Sequence, residues 1–146
     1  MSPDTYPSWL GWALLSAAFA ALTAIFAKVG VEDINSDLAT LIRTVIVLIS
    51  LSLILFATGQ FNQIGPVSTK SWVFLLLSGL GTGASWLCYF RALKLGPATL
   101  VAPIDKLSVV LVALFGVTFL GERPSWNGWL GIALIASGAV LIAIKG

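Results

Sequence analysis

The sequence has no histidine, a single cysteine and few charged residues. Histidine is the commonest metal ligand and the usual base near neutral pH, so its absence argues against a zinc or haem site. Cys88 has no second cysteine with which to form an intrachain disulfide. Charged residues make up 10% of the chain, against about 25% in soluble domains. The near-balanced charge, with 8 basic and 6 acidic residues, argues against nucleic-acid binding, and no cofactor is expected.

Apolar residues dominate the sequence instead. They make up 58% of 146 residues, and the mean hydropathy is +1.01. One globular core cannot bury that much apolar surface, so the chain is predicted to be an integral membrane protein. A bilayer core of about 30 Å is crossed by about 20 apolar residues in a helix, and an open sheet would leave its edges unpaired in lipid. The sequence therefore predicts an all-α protein, one transmembrane domain over residues 1–146 with five helices at 9–31, 36–58, 71–91, 97–120 and 125–145.

The distribution of basic residues bears on the orientation of these spans. Five spans place the two termini on opposite sides of the membrane. Lys70 and Arg123 fall on the side of the N-terminus, and the other side carries Lys28, Arg91, Lys94 and Lys145. The positive-inside rule then places the C-terminus in the cytoplasm. The bias is small, so a mixed or dual topology is the alternative, in a multi-pass protein of the inner membrane.

Asp105 and Lys106 lie near the middle of the fourth predicted span. A charge at bilayer mid-depth costs roughly 2.5–3.5 kcal/mol on insertion scales, and such groups commonly mark ion or substrate routes. Neighbouring residues point about 100° apart on a continuous helix, so each of the two is expected to have its own partner. Arg43 and Lys28, in the first two spans, are candidates to meet Asp105. The pattern fits either an inert buried salt bridge or a proton or cation site.

Pro103 precedes this pair by two residues. Proline removes a backbone donor and usually kinks a helix. At membrane depth the freed carbonyl could bind a cation or a polar substrate. The other interpretation is a fixed bend with a structural role only.

The third predicted span carries polar and aromatic side chains on one face. Thr82, Ser85, Trp86 and Tyr89 follow helical spacing. Such a face suits a cavity that binds amines by cation–π contact, whereas a position near the helix end also fits an interfacial aromatic belt for Tyr89. The candidate ion or substrate path therefore comprises Asp105, Lys106, Arg43, Lys28, Trp86, Ser85, Tyr89 and Pro103.

The fourth and fifth spans are joined by a short polar hairpin. Its Glu122 and Arg123 are predicted to form a salt bridge, with a gating role as a further option. The sequence shows no nucleotide-binding loop, nucleophile motif or metal-ligand spacing. We therefore do not expect an enzyme.

Several short motifs are spread over the second half of the chain. They are YFRAL at 89–93, GP at 96–97, VAP at 101–103, FLGER at 119–123 and WLGI at 129–132, followed by Gly138. With Lys28 ending the first span and Arg43 in the second, they resemble the EamA domain of the drug/metabolite transporter (DMT) superfamily. The resemblance covers nearly the whole chain.

This resemblance implies an architecture and a class of function. Most members fuse two such units into ten helices with inverted halves, and this chain is similar to one half, which implies a homodimer, with an antiparallel pair as one arrangement. The implied activity is secondary transport of small metabolites or amines by alternating access, with proton coupling as an option. The alternatives are a non-transporting membrane partner subunit and half of a heterodimeric flippase. The segment 104–106 departs from the family pattern, so the role of Asp105 depends on the bilayer argument alone.

Overall fold

A computed structural model describes residues 8–63 and 65–145. These residues form helices and no strand, which confirms the predicted all-α class. The helices are α1 (Ser8–Gly30), α2 (Ser36–Ala57), α3 (Thr69–Leu95), α4 (Ala98–Asp105), α5 (Ser108–Phe119) and α6 (Trp126–Lys145), with a 3₁₀ turn at Gln60–Gln63. Five segments are long and apolar enough to cross a membrane, and α4 and α5 together make one of them. The predicted domain limits at residues 1 and 146 lie outside the described residues, and the one-domain organisation stays a prediction.

The ends of α2 and α3 follow from local sequence. Asn35 caps α2, because its side-chain oxygen accepts hydrogen bonds from the amides of Asp37 (2.8 Å) and Leu38 (3.2 Å). Helix α3 runs one turn past the predicted end at residue 91. Alanine, leucine and lysine favour helix in that turn, and the residue before Pro97 is biased away from helical backbone.

The predicted helix over 97–120 corresponds to one membrane-spanning segment, Ala98–Phe119, with a short break in the regular α-helix at Lys106 and Leu107. Helix α4 ends at Asp105 and α5 begins at Ser108. Pro103 has no amide hydrogen to donate to the carbonyl four residues earlier. The amides of Lys106 (3.1 Å) and Leu107 (3.0 Å) donate to the carbonyls of Pro103 and Ile104, three residues before each. This tightened 3₁₀ turn, a geometry that often marks a hinge within a helix, replaces the helical ladder at the break.

The described chain divides into two compact units. One is Ala27–Leu95, in which α2 packs against α3. Its buried side chains include Val31 and Leu93, both 0% exposed, and Phe90, 3% exposed.

The second unit combines Met1–Phe26, as far as it is described, with Gly96–Gly146. Within it α6 packs against both α4 and α5. Ala24 and Ala139 are buried in this unit, as is Gly116 in α5. Most leucine, isoleucine, valine and phenylalanine side chains of both units are exposed, as expected for spans whose outer faces meet lipid or another subunit.

The hairpin after α5 is closed by backbone contacts. Gly121 has a φ of 69°, and the amide of Glu122 donates to the carbonyl of Gly116 at 3.0 Å. The Glu122 side chain turns back onto α5, where a Cβ atom built on Gly116 would lie 2.7 Å from its Oε2 atom. Among the described residues, the ion pairs are Arg91–Asp37 and Lys106–Asp105. The predicted Glu122–Arg123 salt bridge is therefore wrong, because Glu122 is directed towards the helix and Arg123 is exposed.

Replacing Gly121 by alanine is expected to destabilise this hairpin. Alanine at a positive φ costs roughly 1–2 kcal/mol, although no described atom lies within 4 Å of the added Cβ. Thermal unfolding in detergent should therefore show a lower midpoint for Gly121→Ala. Gly138→Ala is the matched control, since Gly138 lies in α6 without a positive φ and with open space around it. Equal midpoints for the two variants would contradict this account of the turn.

Candidate functional site

Two lysines connect the end of α1 to the end of α3 in the unit Ala27–Leu95. Lys28 donates from Nζ to the carbonyl of Leu93 at 2.7 Å. Lys94 donates from Nζ to the carbonyls of Val31, at 3.4 Å, and Ile34. Each lysine therefore satisfies carbonyls at or just beyond the end of the other helix, where cations are favoured by the helix dipole. Lys28 was predicted to belong to an ion path, and the structure gives it a capping contact.

An exposed ion pair joins the start of α2 to the last turns of α3. Arg91 Nε lies 2.9 Å from Asp37 Oδ1, and Arg91 Nη2 lies 2.7 Å from Asp37 Oδ2. This is the two-pronged geometry that arginine forms with carboxylates. Sequence reasoning did not include Asp37, Arg91 or Lys94 among the site residues. The sequence did contain a signal for the Asp37–Arg91 pair. Asp37 lies in the first turn of α2 and Arg91 lies near the end of α3, and in two consecutive antiparallel helices these two ends lie on the same side of the membrane.

Arg43, inside the α2 span, stacks on aromatic rings of α3. Its guanidinium carbon lies 4.1 Å from the centre of the Trp86 ring and 5.6 Å from that of Phe90. Trp86 and Phe90 are four residues apart and so share a helix face, and this spacing could have identified Phe90. The sequence predicted Trp86 as a surface for a substrate amine. The structure places the protein's own Arg43 over this ring, and a role of Trp86 in a substrate path stays a prediction.

The other predicted side chains of α3 differ in exposure. Ser85 is exposed, and Thr82 donates from Oγ1 to the carbonyl of Ser78 at 2.9 Å, within its own helix. Tyr89 is half-buried and interacts electrostatically with Arg43. The structure thus brings Trp86, Tyr89 and Arg43 together and leaves Ser85 on the surface.

Asp105 and Lys106 pair with each other at the break between α4 and α5. Lys106 Nζ lies 3.2 Å from Asp105 Oδ2. The expectation that each charge has a separate partner is therefore wrong, because the long Lys106 side chain reaches the neighbouring carboxylate. In the observed geometry Lys106 lies beyond the end of α4 and its side chain bends back to the carboxylate. Asp105 is 38% exposed and Lys106 is 62% exposed.

The depth of this pair follows from the helix lengths. Helix α4 has 8 residues, which is about 12 Å at a rise of 1.5 Å per residue. In a bilayer core of about 30 Å that begins at the first residue of α4, Asp105 would lie well inside the core. No group of three or more His, Cys, Asp or Glu side chains that could hold a metal ion occurs in the described part of the chain. A proton or cation site at the Asp105 carboxylate therefore stays a prediction.

A family model described as "EamA-like transporter family" matches residues 7–144. The chain belongs to the EamA-like transporter family. The recognition made from the short motifs is confirmed. The described residues of this EamA protein include five helices able to span a membrane, and it is a multi-pass protein of the cell membrane.

Relatives of this EamA protein carry transport names. An "uncharacterized transporter in cobO 3′ region" from Sinorhizobium sp. is 64% identical over 137 residues, which is 94% of this chain and 97% of the relative. Human magnesium transporter NIPA3 is 37% identical over 73 residues, 50% of this chain and 17% of its own length. The probable 4-amino-4-deoxy-L-arabinose-phosphoundecaprenol flippase subunit ArnE of Yersinia pestis is 32% identical over 75 residues, 51% of this chain and 64% of its own length. No solved structure matches the chain. The EamA protein is thus, in general terms, a transporter or flippase subunit.

Proposed function

We propose that this EamA protein is a secondary active transporter of small metabolites or amines whose path passes the break between α4 and α5. The observation that carries the proposal is the Asp105–Lys106 pair, 3.2 Å apart, at an interruption of a membrane span. Transporters commonly place substrate and coupling-ion sites at discontinuous helices near the bilayer midplane. An intramembrane ionisable residue is a functional-site candidate by default.

A homodimer is part of the proposal, because the single chain leaves this pair exposed. Charges inside a membrane span face a protein interior or a water-filled cavity rather than lipid. The exposed Asp105–Lys106 pair therefore requires a second subunit, a water path or both. The glycines of α3 support a close subunit contact, since a Cβ atom built on Gly79 or Gly83 meets no described atom within 4 Å. An antiparallel pair would rebuild two inverted halves.

The mechanism follows from competition at the Asp105 carboxylate. When the carboxylate is ionised, the Lys106 ammonium is its counter-ion. A proton or a cationic substrate that binds Asp105 weakens this pairing and frees Lys106. Because α4 and α5 meet at a 3₁₀ turn, their relative tilt can change without breaking either helix. Rocking of one subunit against the other would then expose Asp105 to the two sides in turn.

The test is flux into proteoliposomes that contain this protein alone. Amines and amino acids are screened under an imposed pH gradient, with protein-free liposomes and a collapsed gradient as controls. Gradient-dependent accumulation of at least one compound is the expected result. Absence of flux and of substrate counterflow, from protein shown to be folded, would contradict the proposal and favour a non-transporting partner subunit.

Half of a heterodimeric flippase is the second candidate. The similarity to ArnE favours it, because that relative is named a probable flippase subunit. The similarity extends over 75 residues, about half of this chain. Affinity purification from membranes separates the candidates. A homodimer is expected from the main proposal, and a stable 1:1 complex with another short membrane protein would favour the flippase.

A further inference from the structure

Arg43, in the unit Ala27–Leu95, lies against aromatic rings, whereas three other basic side chains of this unit bind carbonyl or carboxylate oxygens. Lys28 and Lys94 donate to backbone carbonyls, and Arg91 pairs with Asp37. Within the described part of the chain no carboxylate pairs with Arg43. It is the eighth residue of α2, about 10 Å along the helix axis from the first at 1.5 Å per residue. Among the described residues, this cation within a candidate membrane span therefore has no carboxylate to balance it.

The aromatic rings fix Arg43 without satisfying its hydrogen-bond donors. Trp86 and Phe90 contact the guanidinium through their ring faces, and ring faces attract a cation through their quadrupole. The guanidinium carries five N–H donors in a planar fork. Stacking restrains the plane of that fork, which lowers the entropy lost when an anion binds its edge. Arg43 is half-buried, so the group is still accessible from outside the chain.

We propose that Arg43, held by Trp86 and Phe90, forms a binding site for a carboxylate or phosphate group of the transported molecule. Arginine binds both groups through two parallel hydrogen bonds, and a partly desolvated position strengthens the attraction. A substrate ammonium does not fit here, because it would meet the positive charge over Trp86. The inference rests on the proposed transport function and specifies the substrate class of the protein.

Two sources could supply the anionic group: a soluble metabolite and a phosphate carried on a lipid. The chemistry at Arg43 is the same for both, so the experiment must separate them. The purified protein is kept in dodecyl maltoside, which has neither phosphate nor carboxylate. Inorganic phosphate, L-glutamate and short-chain phosphatidylglycerol are titrated separately at constant ionic strength. The midpoint of thermal unfolding reports binding, because a ligand that binds the folded state raises it with saturation.

The wild type is expected to show saturable stabilisation by at least one of the three probes. In Arg43→Gln the concentration for half-maximal stabilisation should rise about 10- to 100-fold, as expected for loss of hydrogen bonds to a charged group. Arg43→Lys keeps the charge but loses the fork, so an intermediate loss is expected. Lys70→Gln is the matched control, because Lys70 is an exposed cation at the start of the same helix as Trp86, and it should titrate like the wild type.

Each outcome decides part of the proposal. An Arg43-dependent effect of phosphate or glutamate supports the site and assigns a soluble anion. An Arg43-dependent effect of phosphatidylglycerol alone supports the site and assigns a lipid-borne phosphate. Equal titrations of the wild type and Arg43→Gln, or no saturable effect of any probe, would overturn the proposal. Binding is measured without flux, so anion binding with no transport refutes the proposed function and leaves the site standing.

Discussion

Replacing Asp105 by asparagine is expected to abolish gradient-driven uptake in proteoliposomes. A gradient of two pH units can support about 100-fold accumulation for each coupled proton, because one unit corresponds to roughly 1.4 kcal/mol. Asparagine is nearly the same size but cannot take up or release the proton. Accumulation by Asp105→Asn should therefore fall to the level seen with a collapsed gradient. Substrate counterflow by Asp105→Asn, measured without a pH gradient, shows what Asp105 binds. Counterflow should persist if Asp105 binds only the coupling proton. It should be lost if Asp105 binds a cationic substrate.

The matched control is Asp33→Asn. Asp33 lies in the exposed connection between α1 and α2, so this variant removes an aspartate without touching the broken span. It should accumulate substrate like the wild type. Full gradient-driven uptake by Asp105→Asn would leave the protein a transporter and reduce Asp105 to a structural role in the pair with Lys106.

Replacing Pro103 by alanine is expected to reduce transport by about tenfold while raising stability. Proline in a helix interior is roughly 3 kcal/mol less favourable than alanine. Alanine restores an amide that can donate to the carbonyl of Thr99 and removes the ring that crowds that carbonyl, so a kink within α4 is expected to relax. A straighter α4 would stiffen the segment that leads into the 3₁₀ turn at Lys106 and Leu107. Flux and the midpoint of thermal unfolding, measured on the same preparation, check the two effects together.

Pro66→Ala serves as the control, because Pro66 lies in the exposed connection before α3. It should leave flux unchanged. If Pro103→Ala transports as fast as the wild type and is also more stable, the break is a fixed bend and the hinge mechanism is wrong.

The spans could be predicted because membrane helices are specified by composition and length. A bilayer requires about 20 consecutive apolar residues, so residues 9–31 and 36–58 differ by a residue or less at each end from α1 and α2. The family motifs around Pro103 and in the hairpin were also visible in the sequence. The break after Asp105 had a signal in Pro103, but the sequence does not distinguish a smooth kink from a 3₁₀ turn within the span.

Side-chain partners could not be predicted in the same way. Which face of α2 meets α3 depends on the rotation of both helices, and sequence spacing alone does not determine it. Arg43 was one of two candidates, with Lys28, to meet Asp105, and it stacks on Trp86 within the unit Ala27–Leu95. Adjacent Asp105 and Lys106 were expected to diverge by helical geometry, and they pair because the long Lys106 side chain reaches back to the carboxylate at the 3₁₀ turn. The Glu122–Arg123 bridge failed for a similar reason, since backbone bonding at the turn directs Glu122 back to α5.

The accessibility of the break to water distinguishes a transport path from a turn that faces lipid. Lys106→Cys, made together with Cys88→Ser, is labelled with a membrane-impermeant thiol reagent in proteoliposomes and compared with Val112→Cys in α5. Both positions are well exposed on the single chain, at 62% for the Lys106 side chain and 66% for Val112, so exposure alone does not separate them. A transport path through the break predicts fast labelling at position 106, slowed by a transported substrate, and slow labelling at position 112. Equal and slow labelling at both positions would show that the break faces lipid or a dry contact, and would contradict the account.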